Sequence, residues 1–186
     1  MPRPDVTPPI AEPPWLTQEA IRLAGCLVTS HGQAFGRPLL ATPASQNPDS
    51  HGHLLAQELF ATDTVVLAHD GAPLDQGEGP RLIYANRAAL RLWRRDWAAM
   101  VGLPSSRTAE PEQRASRQQA LASAQQQQAI SDYSGIRIDS AGRRFVIAGA
   151  RIWTLRDSGG QPCGQAAAFS NWWWLRQQDA AASTSL

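Results

Sequence analysis

Two turn motifs constrain this chain more than anything else in it. Asp139-Ser140-Ala141-Gly142 and Asp157-Ser158-Gly159-Gly160 each supply an aspartate that can bond its own backbone and a glycine free to take positive φ. Apolar and β-branched runs flank both, so residues 131–174 read as three antiparallel strands in a meander. Under a strict period of two, the long middle run places Phe145, Ile147, Gly149, Arg151 and Trp153 on one face. Val146, Ala148, Ala150 and Ile152 fall on the other. Neither face is simply polar, so both are expected to be covered.

The covering elements are read upstream. Residues 1–14 carry six prolines and little to bury, which predicts a disordered leader before a single domain over 15–175 and a flexible tail over 176–186. Thr17 reads as an N-cap, and Ile21, Ala24, Leu27 and Val28 form an apolar helical stripe reaching about Ser30. His31 to Pro48, broken by glycines and prolines, reads as a loop. A second helix is predicted from about Ser50 to Phe60, with Asp49 and Ser50 as cap candidates. Thr64–Ala68 and Arg81–Ala85 are short strands. Asn86 then caps a helix whose apolar positions are Ala89, Leu90, Trp93, Trp97 and Met100. Thr108 is expected to cap a surface helix that reaches about Gln128.

Charge and cysteine usage narrow the functions open to such a domain. With 17 Lys+Arg against 16 Asp+Glu, the chain lacks the basic footprint of a phosphate-backbone binder, so no nucleic-acid partner is expected. Cys26 and Cys163 are far apart in sequence and without ligand spacing, which predicts neither a disulfide framework nor a zinc site and fits a reducing cytoplasm. No apolar run approaches the ~20 residues that span a bilayer, and the proline-rich start is unlike a signal peptide. His51-Gly52-His53, with His31 and His69 elsewhere, reads as a solvated cap region rather than a metal site. No nucleophile elbow, phosphate loop or paired-carboxylate motif occurs, so no catalytic residues are assigned. The set expected to line a ligand cavity between sheet and helices is Trp93, Trp97, Tyr133, Arg137, Trp153 and Gln165. An enzyme using that cavity for small-molecule chemistry is the alternative reading.

The order helix, helix, strand, strand, helices, meander resembles the PAS fold, and Tyr84-Ala85-Asn86 resembles its strand-to-helix junction. YANRAAL, LPSSRTAEP, DYSGIRI, GRRF and GQAAAFSNW, in that order, resemble the MEKHLA domain family in its stand-alone bacterial form. That resemblance implies an α+β domain with a five-stranded antiparallel PAS-like sheet, flanking helices and an N-terminal helical extension. It implies a sensory or regulatory module that binds a small-molecule signal or a protein partner, without catalysis of its own. Haem in some PAS proteins needs a histidine on the helix before the meander, and covalent flavin chemistry needs a cysteine on that side of the sheet. Residues 109–130 hold no histidine, and Cys26 and Cys163 lie elsewhere, so the residues argue against both cofactors. Trp172-Trp173-Trp174 cannot all be buried by one neighbour. Because PAS-like domains commonly pair through an N-terminal helix beside the sheet, a homodimer in which the same stripe or patch of a second copy covers these tryptophans is expected.

Overall fold

Both aspartate turns close as their residues require. In the computed structural model, which describes residues 11–41, 48–73, 77–109 and 114–176, Asp139 Oδ1 accepts from the backbone N–H of Ala141 and Arg143 at 2.9 and 2.8 Å. Asp157 Oδ1 accepts from Gly159 and Gln161, each at 2.9 Å. The turns join β3 (Ala129–Ile138), β4 (Arg144–Arg156) and β5 (Pro162–Phe169). β1 (Val65–Asp70) pairs antiparallel with β5, and β2 (Leu82–Ala85) with β1, giving the strand order β2-β1-β5-β4-β3. The fold is α+β with the expected antiparallel five-strand path. Most of the leader, residues 1–10, and the tail from 177 lie outside the described residues; Pro14 already opens a 3-10 turn, Pro14–Leu16.

A short sixth strand, β6 (Asn171–Trp174), pairs with β4. It is the outer half of the last strand: Arg151 faces Ala168 and Ala148 faces Asn171, one continuous register interrupted at Ser170. Opposite that break, Gly149 takes φ +66°, and the β3 pairing steps by one residue between Ile147 and Ala150. This bulge overturns the strict alternation expected of β4. Phe145 and Ile147 before it share the inner face with Ala150 and Ile152 after it, while Trp153 and Leu155 point to the outer face.

The N-terminal helices cover that outer face. α1 (Gln18–Phe35), capped by Thr17, lays Ile21, Ala24, Leu27 and Val28 against Trp153 and Leu155, beside α2 (Pro48–Ala61). α1 runs past the predicted stop at Ser30 because Gly32 is tolerated inside it; the terminator is Gly36, at φ +64°. The cap candidates Asp49 and Ser50 lie inside α2, whose first residue is Pro48. The inner face is covered by α3 (Arg87–Trp93), a 3-10 turn Ser105–Thr108 and α5 (Arg114–Gln127). The expected single helix from Asn86 to Met100 is two. Arg94 at φ +54° ends α3, and Asp96 Oδ1 caps α4 (Trp97–Met100) through the Ala99 N–H at 2.7 Å. Thr108 does not cap α5; its hydroxyl donates to the Ser105 carbonyl at 2.7 Å, closing its own turn.

Candidate functional site

Asn86 fixes the geometry on which the inner face depends. Its Oδ1 accepts from the N–H groups of Ala89 and Val66, each at 3.0 Å, and its Nδ2 donates to the Thr64 carbonyl at 2.7 Å. Wholly buried, it ties the start of β1 to the start of α3 as well as capping the helix. Its junction partner Tyr84 is equally buried, its hydroxyl without a hydrogen bond, and burial pushes the phenol pKa up.

Between the inner face and α3 and α5 lies a cavity of about 50 Å³. Ile147, Ala150, Ile152, Ala167 and Phe169 supply its apolar wall. Of the expected cavity set, Trp93, Tyr133, Arg137 and Gln165 come together on it. Arg137 Nη2 donates to the Tyr133 hydroxyl at 3.0 Å, and its guanidinium lies 5.4 Å from the centre of that ring. Gln165 Nε2 donates to the Leu121 carbonyl at 3.0 Å, binding α5 to the sheet. Trp93 packs edge-on against Phe145 at 5.1 Å.

Trp97 and Trp153 do not reach this cavity. The break at Arg94 swings Trp97 towards Trp15, Phe60 and Tyr84, with ring centres 5.6 Å from Tyr84 and 6.3 Å from Phe60. The Gly149 bulge turns Trp153 under α1, edge-on to His31 at 5.0 Å. Two further residues shape the site, His69 on its wall and Gly135 beside the Tyr133–Arg137 pair. His69, which directly follows the expected first strand and reads as a turn residue or a cavity rim, is buried within β1 with Nδ1 2.7 Å from the Asp70 carbonyl oxygen and lines the cavity. Gly135 makes room for the Tyr133–Arg137 pair: a Cβ there would meet the Tyr133 hydroxyl at 2.7 Å and Arg137 Nη1 at 3.1 Å. The signal for Gly135 was its interruption of an otherwise side-chain-rich strand.

The outer face carries different chemistry. His31 is buried, with Nδ1 3.1 Å from the Arg37 carbonyl oxygen, and Arg151 Nη1 lies 2.7 Å from its Nε2. Burial first, then the Arg151 charge, lowers its pKa from 6.5 to about 4, so Arg151 donates to a neutral ring. Cys26 and Cys163, remote in sequence, share an open groove beside α1, where Cys26 Sγ donates to the Arg156 carbonyl at 3.0 Å. Cys163 stands exposed at the mouth of that groove, and partial burial, then Cys26 and Asp157, raises its thiol pKa. Among the described residues no three His, Cys, Asp or Glu side chains gather as a metal site, and the side chain of His51 lies outside that set. No helix among them is long and apolar enough to cross a membrane.

Trp172, Trp173 and Trp174 stand exposed at 38%, 51% and 39%. Trp172 and Trp174 contact Phe145 on the inner face, Arg143 stacks over Trp174 at 4.1 Å, and the alternation of the strand turns Trp173 to the other side. The α1 stripe is not free to cover them: it is spent on Trp153 and Leu155, on the other side of the Gly149 bulge.

The MEKHLA domain model matches residues 21–174. Among solved structures, a PAS domain from Colwellia psychrerythraea is similar at 14% identity and TM-score 0.52, covering 66% of this chain and 95% of that one. An RNA-binding light-oxygen-voltage receptor is similar at 18% identity and TM-score 0.53, over 70% of this chain and 35% of the receptor. A light-oxygen-voltage domain studied with a flavin analogue is similar at 14% identity and TM-score 0.51, over 69% and 89%. These likenesses show a PAS-like fold. No curated protein sequence matches significantly. A flavin does not fit the residues present: a cavity of about 50 Å³ is several-fold smaller than the ~300 Å³ at which ligand pockets for such molecules begin, and neither cysteine lines it.

Proposed function

Because the chain belongs to the MEKHLA domain family and has a PAS-like fold, we propose that it is a cytoplasmic sensory or regulatory module that takes a small-molecule signal and performs no catalysis of its own. One observation carries the reading: an apolar cavity on the inner face into which Tyr133, Arg137 and Gln165 converge. A few oriented polar groups in an apolar wall are the usual make-up of a recognition site. Gln165 also holds α5 through the Leu121 carbonyl, so a molecule packed beside this amide steadies the helix against the sheet. Hydrogen exchange tests the proposal. Protein purified from its native host is compared with the same protein unfolded, desalted and refolded. Occupancy slows exchange around Leu121 and from Tyr133 to Arg137 while leaving α1 unchanged; identical profiles would overturn the reading.

The output side of the proposal is a homodimer formed at the last strand. β1 ends its pairing with β5 at Val65–Phe169, and among the described residues no strand lies on the far side of β6. An edge bearing three exposed tryptophans beside open backbone groups favours a second copy, since antiparallel pairing about a two-fold axis makes the same edge complementary to itself.

A further inference from the structure

Arg137 is an exception among the buried groups of this protein. It is only 6% exposed, on the inner face of β3 directly opposite Phe145, and it lines the cavity. A guanidinium stays charged in any protein environment, and buried charges are ordinarily paired with an opposite one. Its partners are neutral: Nη1 donates to the Ile136 carbonyl at 2.8 Å and Nη2 to the Tyr133 hydroxyl at 3.0 Å. Among the described residues Arg137 makes no ion pair, unlike Arg81 and Arg107 with Glu78 or Arg143 with Asp139. Two of the five N–H donors of a guanidinium are therefore used. Among the described residues no carboxylate compensates the charge.

We infer that the cavity binds a short-chain monocarboxylate, with its carboxylate on Arg137 and its alkyl end on the apolar wall. The inference rests on the reading of the cavity as a ligand site and adds the chemical class. Charge selects an anion, and the fork of donors selects a carboxylate, which it takes in a bidentate pair. Size limits the rest. About 50 Å³ exceeds the ~10–15 Å³ that one water requires but falls far below a drug-sized pocket, so the fit is to a few heavy atoms, as in acetate or propionate. Ile147, Ala150 and Ile152 receive the methyl or ethyl group. The Tyr133 hydroxyl, which accepts from Arg137 through its oxygen, keeps its own proton to donate to the carboxylate. Gly135 is the positioning residue, because a side chain there would collide with the Tyr133 hydroxyl and crowd Arg137 Nη1.

The test titrates the full chain with sodium acetate, sodium propionate and neutral acetamide, each against sodium chloride at matched ionic strength, and follows the melting temperature. Acetate and propionate raise it saturably and acetamide does not. Arg137→Met melts higher than wild type without ligand, since a buried unpaired charge is gone, and its apparent Kd for acetate rises at least tenfold. Arg137→Lys, which keeps the charge and loses the fork, falls between the two. If Arg137→Met fails to fold, the Lys variant and the acetamide arm still decide. An equal response to acetate and acetamide, or an undiminished response in either Arg137 variant, would overturn the carboxylate assignment. A response to acetamide, or a neutral molecule retained from the host, would overturn it while leaving the cavity as a ligand site. No response to any of the three, with nothing retained, ends both.

Discussion

Asn86 shows how much one side chain can carry beyond what its position in the sequence announces. As an N-cap alone its removal would cost about 1 kcal/mol. In the folded chain it also satisfies the buried N–H of Val66 and donates to the Thr64 carbonyl, at the point where β1 begins. Asn86→Ala strands those groups away from water, at on the order of 1–3 kcal/mol. The expected loss is on the order of 2–4 kcal/mol, a fall in Tm of roughly 10 °C, read by calorimetry. A fall of only two or three degrees would mean that Asn86 acts as a helix cap alone. The cap was legible because Asn before an apolar helical run is a local signal. The second role was not, because the Val66 N–H lies 20 residues upstream. The same holds for the cavity: the types of Tyr133, Arg137 and Gln165 suggested a polar cluster, whereas Gly135 acts by lacking a side chain and His69 required knowing that β1 runs to Asp70.

Elements were read best where a single residue decides them and worst where a long-range pairing does. The turns at Asp139 and Asp157, the Thr17 cap and the two short strands follow from local chemistry. The faces of β4 do not, because Gly149 inserts an extra residue relative to β3 and reverses every assignment after it, which moved Trp153 from the expected cavity to the surface beneath α1. At φ +66° with no atom within 4 Å of where its Cβ would sit, Gly149→Ala meets a backbone penalty without a clash. It should destabilise by about 1–2 kcal/mol, measured by urea unfolding, and an unchanged midpoint would show that the bulge relaxes freely. The α1–β4 junction makes a pH prediction. The folded pKa of His31, about 4, lies below its unfolded 6.5, so the stability it contributes is complete above pH 6.5 and is lost as pH falls through 4. That loss should be on the order of 2–3 kcal/mol and should vanish in His31→Gln. For Asp139, burial raises the pKa, but hydrogen bonds from Arg143 and Ala141 outweigh it and hold the carboxyl below 3.8, so its own loss comes at lower pH. A His31→Gln variant with an unaltered pH profile would contradict the assignment.

At the scale of the molecule, one sheet serves two purposes. Its outer face is closed by α1 and α2 over Trp153, Leu155, Val66 and Ala168, while its inner face keeps a cavity with a charge inside. The whole architecture was legible in outline, because separated motifs of one family run in order along residues 21–174. Which face the N-terminal helices take was not, since an apolar stripe does not name its partner. The consequence reaches the proposed dimer: with the stripe engaged, the contact is proposed on the last strand, where three tryptophans stand exposed. Sedimentation equilibrium should then find wild-type self-association in the high micromolar range that Trp173→Ser weakens, and a wild type that stays monomeric there would remove the dimer. The measurement closest to the central claim is native mass spectrometry of protein purified from its own host, wild type beside Ala150→Val. Ala150 is fully buried on the cavity wall, and two added methyl groups narrow a space of about 50 Å³ at a tolerable packing cost of about 1–3 kcal/mol. The account predicts a small added mass on the folded wild type that disappears on unfolding and is absent from the variant. A wild type that flies at its bare chain mass, or a variant that retains the same adduct, would contradict it.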